Sequence, residues 1–454
     1  MTSGSSPLVC KQFELLGMET SKGASVFADP AFSANKALPI HRWVPWIAGF
    51  SRDFVSDALT RYLTDPGTVL DPFAGVGTTL VESVLHGHNA IGFEINPYAA
   101  SASELKANAH LINVESLRQE SMRFQSFYSN ALTSGYMPHS SSPPGFHTRS
   151  AFYGHKVLRK VLTVWDFMET VSDKRIKDVF RLVFAATMVR YSNYSYEPSL
   201  GRRAGVGKPE IDDFPVGEVV SAKLIEILQD LTKVKDLLPS DDIPRARVIC
   251  DSFFGYEEHI GAASVDLIIT SPPYLNNYHY IRNTRPQLYW LGYAQKPGDL
   301  KALEESNFGK YWQTVRDGRR IDLQFSLPDT DLAERLQALR NTNHARRTYG
   351  GAGWANYAAA YFNDCRRFAL GVKYALKPGA TALVVVGNSI LQGIPIPTDL
   401  YLGKIAESVG LELARIDIPR ATRVGNSIIH SKVRASKAGD DHSLYEAIVE
   451  LRNH

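Results

Sequence analysis

Two hydrophobic rhythms alternate along the chain. Short apolar runs bounded by turn residues recur at 68–71, 90–95, 246–251, 265–270 and 382–386. Runs of this length without polar alternation predict strands buried on both faces of a parallel sheet. Between them, apolar residues recur every three or four positions, as on the inner face of a helix. Phe54, Val55, Ala58, Leu59 and Leu63 follow Ser51, which can cap a helix over 51–63, and Asp65-Pro66-Gly67 ends it. Leu80, Val81, Val84 and Leu85 predict the next helix, closed by Gly87. Similar spacing predicts helices at about 99–110, 150–172, 174–191, 216–237 and 355–376, and another from Thr398 to Gly410. Two more strand candidates occupy 411–418 and 443–451.

Strands that alternate with helices predict an α/β fold. The count points to a doubly wound, mostly parallel seven-stranded Rossmann-like sheet, formed by 41–110 and 246–454. The alternation breaks at 111–245, which is expected to form an inserted, mainly helical subdomain around a Ser/Pro/Gly-rich patch at 134–145. Residues 1–40 are expected to be an N-terminal arm. Residues 296–350 are polar and weakly periodic, and are expected to be a long loop with short helices. Ligands of such sheets bind beyond the carboxyl ends of the strands, so the chemistry is expected just after each strand.

Composition excludes several classes. Of 454 residues, 44% are hydrophobic and 21% charged, which rules out a disordered, collagenous or coiled-coil chain. No window nears the ~18 uninterrupted apolar residues of a membrane span, and the polar start lacks a secretory pattern. Three scattered cysteines, Cys10, Cys250 and Cys365, make neither a disulfide framework nor a metal site. A cytoplasmic protein without a metal is expected. Net charge is +3, but residues 275–454 carry 24 Lys and Arg against 17 Asp and Glu, whereas 1–274 carry 26 against 30. The basic half suggests a polyanionic partner.

Two turns carry the chemistry. The first, Asp71-Pro72-Phe73-Ala74-Gly75-Val76-Gly77-Thr78-Thr79, joins a strand to a helix. Its paired glycines let a ligand approach the backbone. It lacks the Lys of a P-loop and the third glycine of a dinucleotide fingerprint. Glu94, on the following strand, suits the hydroxyls of a ribose. The second turn, Ser271-Pro272-Pro273-Tyr274, follows the 265–270 strand. Consecutive prolines stiffen it and leave carbonyls as acceptors. A hydroxyl before them and an aromatic ring after them suit a planar heterocycle bearing an amino group.

Together the two turns resemble the signature pair of the amino-group DNA methyltransferases, which use S-adenosylmethionine. The Ser-Pro-Pro-Tyr form is associated mainly with N4-cytosine enzymes, and Asp-Pro-Pro-Tyr is commoner among N6-adenine enzymes. The order also resembles the gamma arrangement, with His41-Arg42-Trp43 through Gly49-Phe50-Ser51 as its motif X. The resemblance covers roughly 41–110, 246–295 and 355–452. The long insertion departs from the family pattern. The resemblance implies cofactor contacts from Phe50, Ser51, Asp71, Phe73, Gly75, Gly77, Thr78, Glu94, Asp251 and Ser252. It implies a catalytic set of Ser271, Pro272, Pro273 and Tyr274, working on a base extruded from the duplex. Its implied partners are double-stranded DNA and a cognate restriction endonuclease.

DNA contacts are expected just beyond the second turn, from Asn276, Tyr278, Arg282 and Arg285, and from Arg202 and Arg203. Arg319-Arg320 and Arg346-Arg347 are further basic pairs. Cytosine C5 chemistry is set aside because no cysteine follows a proline. The remaining alternatives are an N6-adenine enzyme, an RNA amino-methyltransferase, and a non-catalytic module of the same fold.

Overall fold

The computed structural model describes residues 27, 30, 32–46, 49–196, 199–238, 243–275, 280–316, 318–420 and 444–454. Seven strands form one sheet: β1 (Thr68–Asp71), β2 (Asn89–Phe93), β3 (Ala246–Ile249), β4 (Val265–Thr270), β5 (Leu376–Gly387), β6 (Glu412–Arg420) and β7 (Glu446–Arg452). Their spatial order is β6-β7-β5-β4-β1-β2-β3. All neighbours are parallel except β7, which runs antiparallel to both β5 and β6. The chain steps outward from β1 through β2 to β3, then returns to place β4 on the other side of β1. That reversal between β1 and β4 is the switch point at which doubly wound sheets bind ligands.

The fold is the doubly wound α/β sheet expected. The apolar runs become strands because alternate residues face opposite layers. Val69, Leu267, Ile269, Leu383, Val385 and Ile448 pack under α1 (Arg52–Tyr62) with Phe50 and Phe54. Leu70, Ile268, Val384, Val386 and Val449 face the other layer. Ser51 does cap α1, accepting from the Phe54 N–H at 3.1 Å. The strand expected at 382–386 is longer, because β5 begins at Leu376 and runs through Lys377-Pro378-Gly379 with a register shift against β4.

After β1 come α2 (Thr78–Leu85) and, past β2, α3 (Pro97–Ala107). The interruption between β2 and β3 holds α4 (Val114–Thr133), α5 (His155–Thr170), α6 (Lys174–Thr187) and α7 (Val216–Leu237). Of these, α4 escaped the sequence reading. Its buried residues, Leu117, Ser121, Phe124, Tyr128 and Ala131, make a narrow stripe among polar positions. The Asn113 side chain, which accepts from the Ser116 N–H at 3.0 Å, was the available signal. The insertion shares one apolar core with Trp43, Leu80 and Tyr98 of the sheet-side layer. Residues 296–350 contain Pro297–Glu305, Trp312–Val315 and Leu332–Asn341 as short helices. Two long helices, α8 (Gly351–Ala375) and α9 (Thr398–Ser408), flank β5 in sequence and pack on the far layer. Among the described residues no helix is long and apolar enough to cross a membrane, and no cluster of His, Cys, Asp and Glu is fit to hold a metal.

Candidate active site at the sheet switch point

The site grows from two neighbouring strand ends. Asp71 closes β1 and Thr270 closes β4. The Thr270 hydroxyl donates to Asp71 Oδ1 at 2.7 Å, and the Phe73 N–H donates to the same oxygen at 3.0 Å. Asp71 Oδ2 is buried without a partner. The adjacent Thr79 hydroxyl is spent on the Ile269 carbonyl, at 3.2 Å. Burial pushes the Asp71 carboxyl up to about 6 against these hydrogen bonds.

From Asp71 the chain turns through the paired glycines into α2. Gly75 donates its N–H to Glu94 Oε2 at 2.9 Å, and Asn96 donates its N–H to Glu94 Oε1 at 2.8 Å. Glu94 stands one residue beyond β2 and so braces the turn from its neighbour strand. Burial lifts its carboxyl to about 7. Below the turn, the Lys106 ammonium reaches the Val76 carbonyl at 2.7 Å.

A cavity with about 920 Å³ of empty space, its open mouth included, lies over these strand ends. Phe50, Phe73, Phe253 and Phe308 give it aromatic walls. Gly75, Thr78 and Glu94 border it from the first turn, Asp251 and Ser252 from the end of β3, and Ser271 and Pro273 from the end of β4. Two turns nearly 200 residues apart therefore face the same space. Its described lining holds two carboxylates, Glu94 and Asp251, and no lysine, arginine or histidine. An aromatic slot with carboxylates and no competing cation fits a positively charged purine nucleoside. The orphaned Asp71 oxygen behind the turn adds further negative potential.

Five of the expected residues do not line this cavity. Ser51 is buried, with its hydroxyl spent on the α1 cap. Gly77 adopts φ 83°, and a Cβ there would collide with Ser103, so this glycine serves the packing of α2 on α3. Asp71 and Pro272 are buried behind the wall. Tyr274 lies beyond Ser271, toward β5 and β7. Its hydroxyl donates to Glu446 Oε1 at 3.1 Å, and its ring covers Gly387, where a Cβ would stand 2.9 Å from the ring. Burial, then Glu446, holds its phenol well above the usual range. Asp251 lines the cavity, accepts from the Ser252 N–H at 2.7 Å, and has His259 Nε2 3.5 Å away.

Sequence reasoning missed Trp46, Asn96, Tyr280 and the segment 306–308, all on the cavity wall. Trp46 and Tyr280 stack with centroids 5.7 Å apart at 16°. No local pattern announces that stack, since its two rings come from a loop and from the start of the distant helix Tyr280–Asn283. Asn96 did carry a signal, as a cap before Pro97.

The expected DNA-contacting residues divide. Asn276 and Tyr278 lie outside the described residues. Arg202 and Arg282 are exposed. Arg285 is half-buried, its guanidinium donates to the His147 carbonyl at 2.9 Å, and it lies over the Tyr289 ring. Arg203 donates Nε to the Pro209 carbonyl at 2.9 Å.

Residues 43–105 match the N6_N4_Mtase family model, described as a DNA methylase. Type II methyltransferase M.BsoBI of Geobacillus stearothermophilus is 26% identical over 433 residues, covering 87% of this chain and 83% of the relative. Type II methyltransferase M.AvaI of Anabaena variabilis is 23% identical over 429 residues, covering 87% and 84%. Among solved structures, the rRNA methyltransferase aviRa of Streptomyces viridochromogenes is 10% identical, with a TM-score of 0.31 over 94% of this chain and 96% of its own. That superposition is too loose to bear on the reaction.

Proposed function

Because the chain belongs to the amino-group DNA methyltransferase family, we propose that it methylates the exocyclic amine of an extruded base in double-stranded DNA, N4 of cytosine in preference to N6 of adenine. The observation that carries this reading is the shared cavity, bordered by Gly75 and Glu94 on one side and by Ser271 and Pro273 on the other. Cytosine is favoured because a serine, not an aspartate, precedes the two prolines.

Bound S-adenosylmethionine supplies an electrophilic methyl group on a positively charged sulfur. Glu94 would accept from the ribose hydroxyls, and Phe50, Phe73 and Phe253 would enclose the purine. Asp251 would accept from the purine amine. Gly75 and Thr78 would border the methionine end, and the Asp71 carboxylate buried behind them would add negative potential there.

An exocyclic amine is a weak nucleophile because its lone pair is delocalised into the ring. Ser271 Oγ and the Pro272 carbonyl would accept its two N–H bonds and draw the nitrogen toward tetrahedral geometry. That arrangement orients the amine and stabilises charge developing on it. Tyr274 would stack on the base, worth ~1–3 kcal/mol, which offsets much of the few kcal/mol of unstacking. The Glu446 contact holds that ring in place.

The insertion at 111–245 would read the target, with Arg202 and Arg282 on phosphates. The relatives' description as Type II methyltransferases supports the methyl-transfer reading, and the proposal extends it to sequence-specific action beside a cognate endonuclease on DNA in the cytoplasm. The test is incubation of unmodified duplex DNA, and in parallel of RNA, with S-adenosylmethionine, then nucleoside mass spectrometry. N4-methyldeoxycytidine is expected. N6-methyldeoxyadenosine would move the assignment to adenine. Methylated RNA alone, or no product, would overturn the reading. Long-read sequencing of DNA from expressing cells would give the sequence context.

A further inference from the structure

The described helix that follows the second turn is short, Tyr280–Asn283, and Thr284 comes directly after it. Asn283 and Thr284 are neighbours in the chain but bond to different parts of the molecule. Asn283 reaches the insertion, where a hairpin pairs Tyr194–Tyr196 with Leu200–Arg202. Its Oδ1 accepts from the Leu200 N–H at 2.8 Å, and its carbonyl accepts from the Tyr196 hydroxyl at 3.0 Å. Thr284 reaches the wall of the first cavity. Its hydroxyl oxygen accepts from Asn96 Nδ2 at 2.8 Å, and its hydroxyl donates to the Tyr280 carbonyl at 2.8 Å.

These bonds complete a circuit around the first cavity. The Asn96 N–H donates to Glu94 Oε1 at 2.8 Å, and the Gly75 N–H donates to Glu94 Oε2 at 2.9 Å. On the other side, the Trp46 indole nitrogen approaches Gly75 so closely that a Cβ there would stand 3.3 Å from it. The Trp46 ring then stacks on Tyr280, which returns the circuit to Thr284. Asn96, Asn283 and Thr284 are each 6% exposed or less, so water competes little for their bonds. A second cavity of about 1130 Å³, its mouth included, borders Trp46, Tyr280, Asn283 and Thr284 and leaves this junction room to shift. Both partners of the junction carry an exposed arginine, Arg202 on the hairpin and Arg282 on the helix.

Coupling between two sites travels through contiguous contacts that both sites can bias. Here Asn283, Thr284 and Asn96 join the hairpin to Glu94 without a gap. We propose that Asn283 and Thr284 are positioning residues that make DNA and the methyl donor bind interdependently. A duplex held by the hairpin sets Asn96 and Glu94 for the donor, and by linkage the donor steadies the hairpin for DNA to the same extent. This rests on the reading that the insertion engages DNA and that Glu94 faces the donor.

The test uses the full-length protein and sinefungin, a donor analogue that cannot transfer a methyl group. Sinefungin affinity is measured by calorimetry with and without a duplex carrying the methylated sequence context. In the wild type, the duplex should tighten sinefungin about fivefold or more. In Asn283→Ala, affinity without DNA should stay within a few fold, because Asn283 is not on the first cavity's wall, and the ratio should fall to near one. Thr284→Val should also lose the ratio, and Thr284→Ser, which keeps the hydroxyl, should restore it. Thermal unfolding checks each variant, and Tyr196→Phe, which deletes only one hydroxyl on Asn283, replaces any that does not fold.

A ratio near one in the wild type, with sinefungin and DNA both bound, would overturn this proposal alone. So would variants whose two affinities fall alike and leave the ratio intact, since that is the mark of a merely structural contact. Failure of the wild type to bind sinefungin, or to methylate any sequence, would remove the methyltransferase reading and this inference with it.

Discussion

The hydroxyl of Thr270 donates to the carboxylate of Asp71 at 2.7 Å, across 199 residues of sequence. This bond ties the end of β4 to the end of β1, and each strand end leads into one of the two turns. The relative placement of the turns thus rests on a buried pair, since both residues are almost fully covered.

Thr270→Val keeps the side-chain shape and removes the donor. Asp71 Oδ1 then keeps the Phe73 N–H, and the carboxyl rises further. We expect a loss of about 1–2 kcal/mol in urea unfolding and a weaker S-adenosylmethionine affinity by calorimetry. Wild-type values in both measurements would show that the pair does not hold the turns.

The location of Tyr274 separates binding from chemistry. Ser271→Ala should lower turnover roughly 10²-fold, and Tyr274→Ala should abolish it by removing the surface on which the base stacks, while the first cavity, whose lining Tyr274 does not join, keeps its walls. Donor affinity should stay within a few fold in Tyr274→Ala, whereas its collapse would refute that partition. Gly387→Ala adds a methyl group 2.9 Å from the ring, so it should depress turnover by displacing the ring.

Glu94 predicts a pH dependence. Its carboxyl sits at about 7 in the folded protein, raised by burial. A raised carboxyl contributes stability that is present below the unfolded value, near 4.3, and is lost as pH rises through about 7. A ligand with hydroxyl donors and positive charge reverses this by favouring the ionised form. Donor affinity should therefore climb with pH and level off above about 8. Asp71, at about 6, adds a lower step of the same sign. Glu94→Gln should bind more weakly at pH 8 and lose the upper step in calorimetric titrations, while the lower one persists.

Asp230 fastens the insertion to the segment that leads to Trp46 and Phe50. This fully buried carboxylate on α7 accepts from the Ile40 N–H at 3.0 Å, the Trp43 indole at 2.9 Å and the Arg42 guanidinium. Removing one partner of a buried pair costs about 3–5 kcal/mol, less where the other partner reaches water. Arg42 is partly exposed, so Asp230→Asn should cost about 2–3 kcal/mol by denaturation. Adding Arg42→Met should recover part of that loss. Additive losses in the double variant would show that the pair is not coupled.

Much of this molecule is local enough to be legible one segment at a time. The strand ends at Asp71 and Thr270, the α1 cap at Ser51 and the presence of an acid at Glu94 all follow from residue type and local spacing, whereas its bracing of Gly75, 19 residues away, does not. The helix α4 escaped because half of its helical period is polar, so a single narrow stripe carried the signal. Ser51 and Gly77 fit the motif yet serve packing, since a pattern cannot tell a ligand contact from a cap or from a close helix approach. Arg285 shows the same limit for charge, because its bond to the His147 carbonyl and its place over Tyr289 have no signature in sequence.

The amino-acid order alone determined the alternating sheet and the two turns at its strand ends, because each is set by short-range sterics and burial. Only the tertiary structure decided that these turns face one space, that Tyr274 stands apart from it against Gly387, and that Trp46 and Tyr280 divide two cavities. Those relations depend on strand order and on contacts between residues far apart in the chain. No periodicity records them, because they arise only when the layers pack.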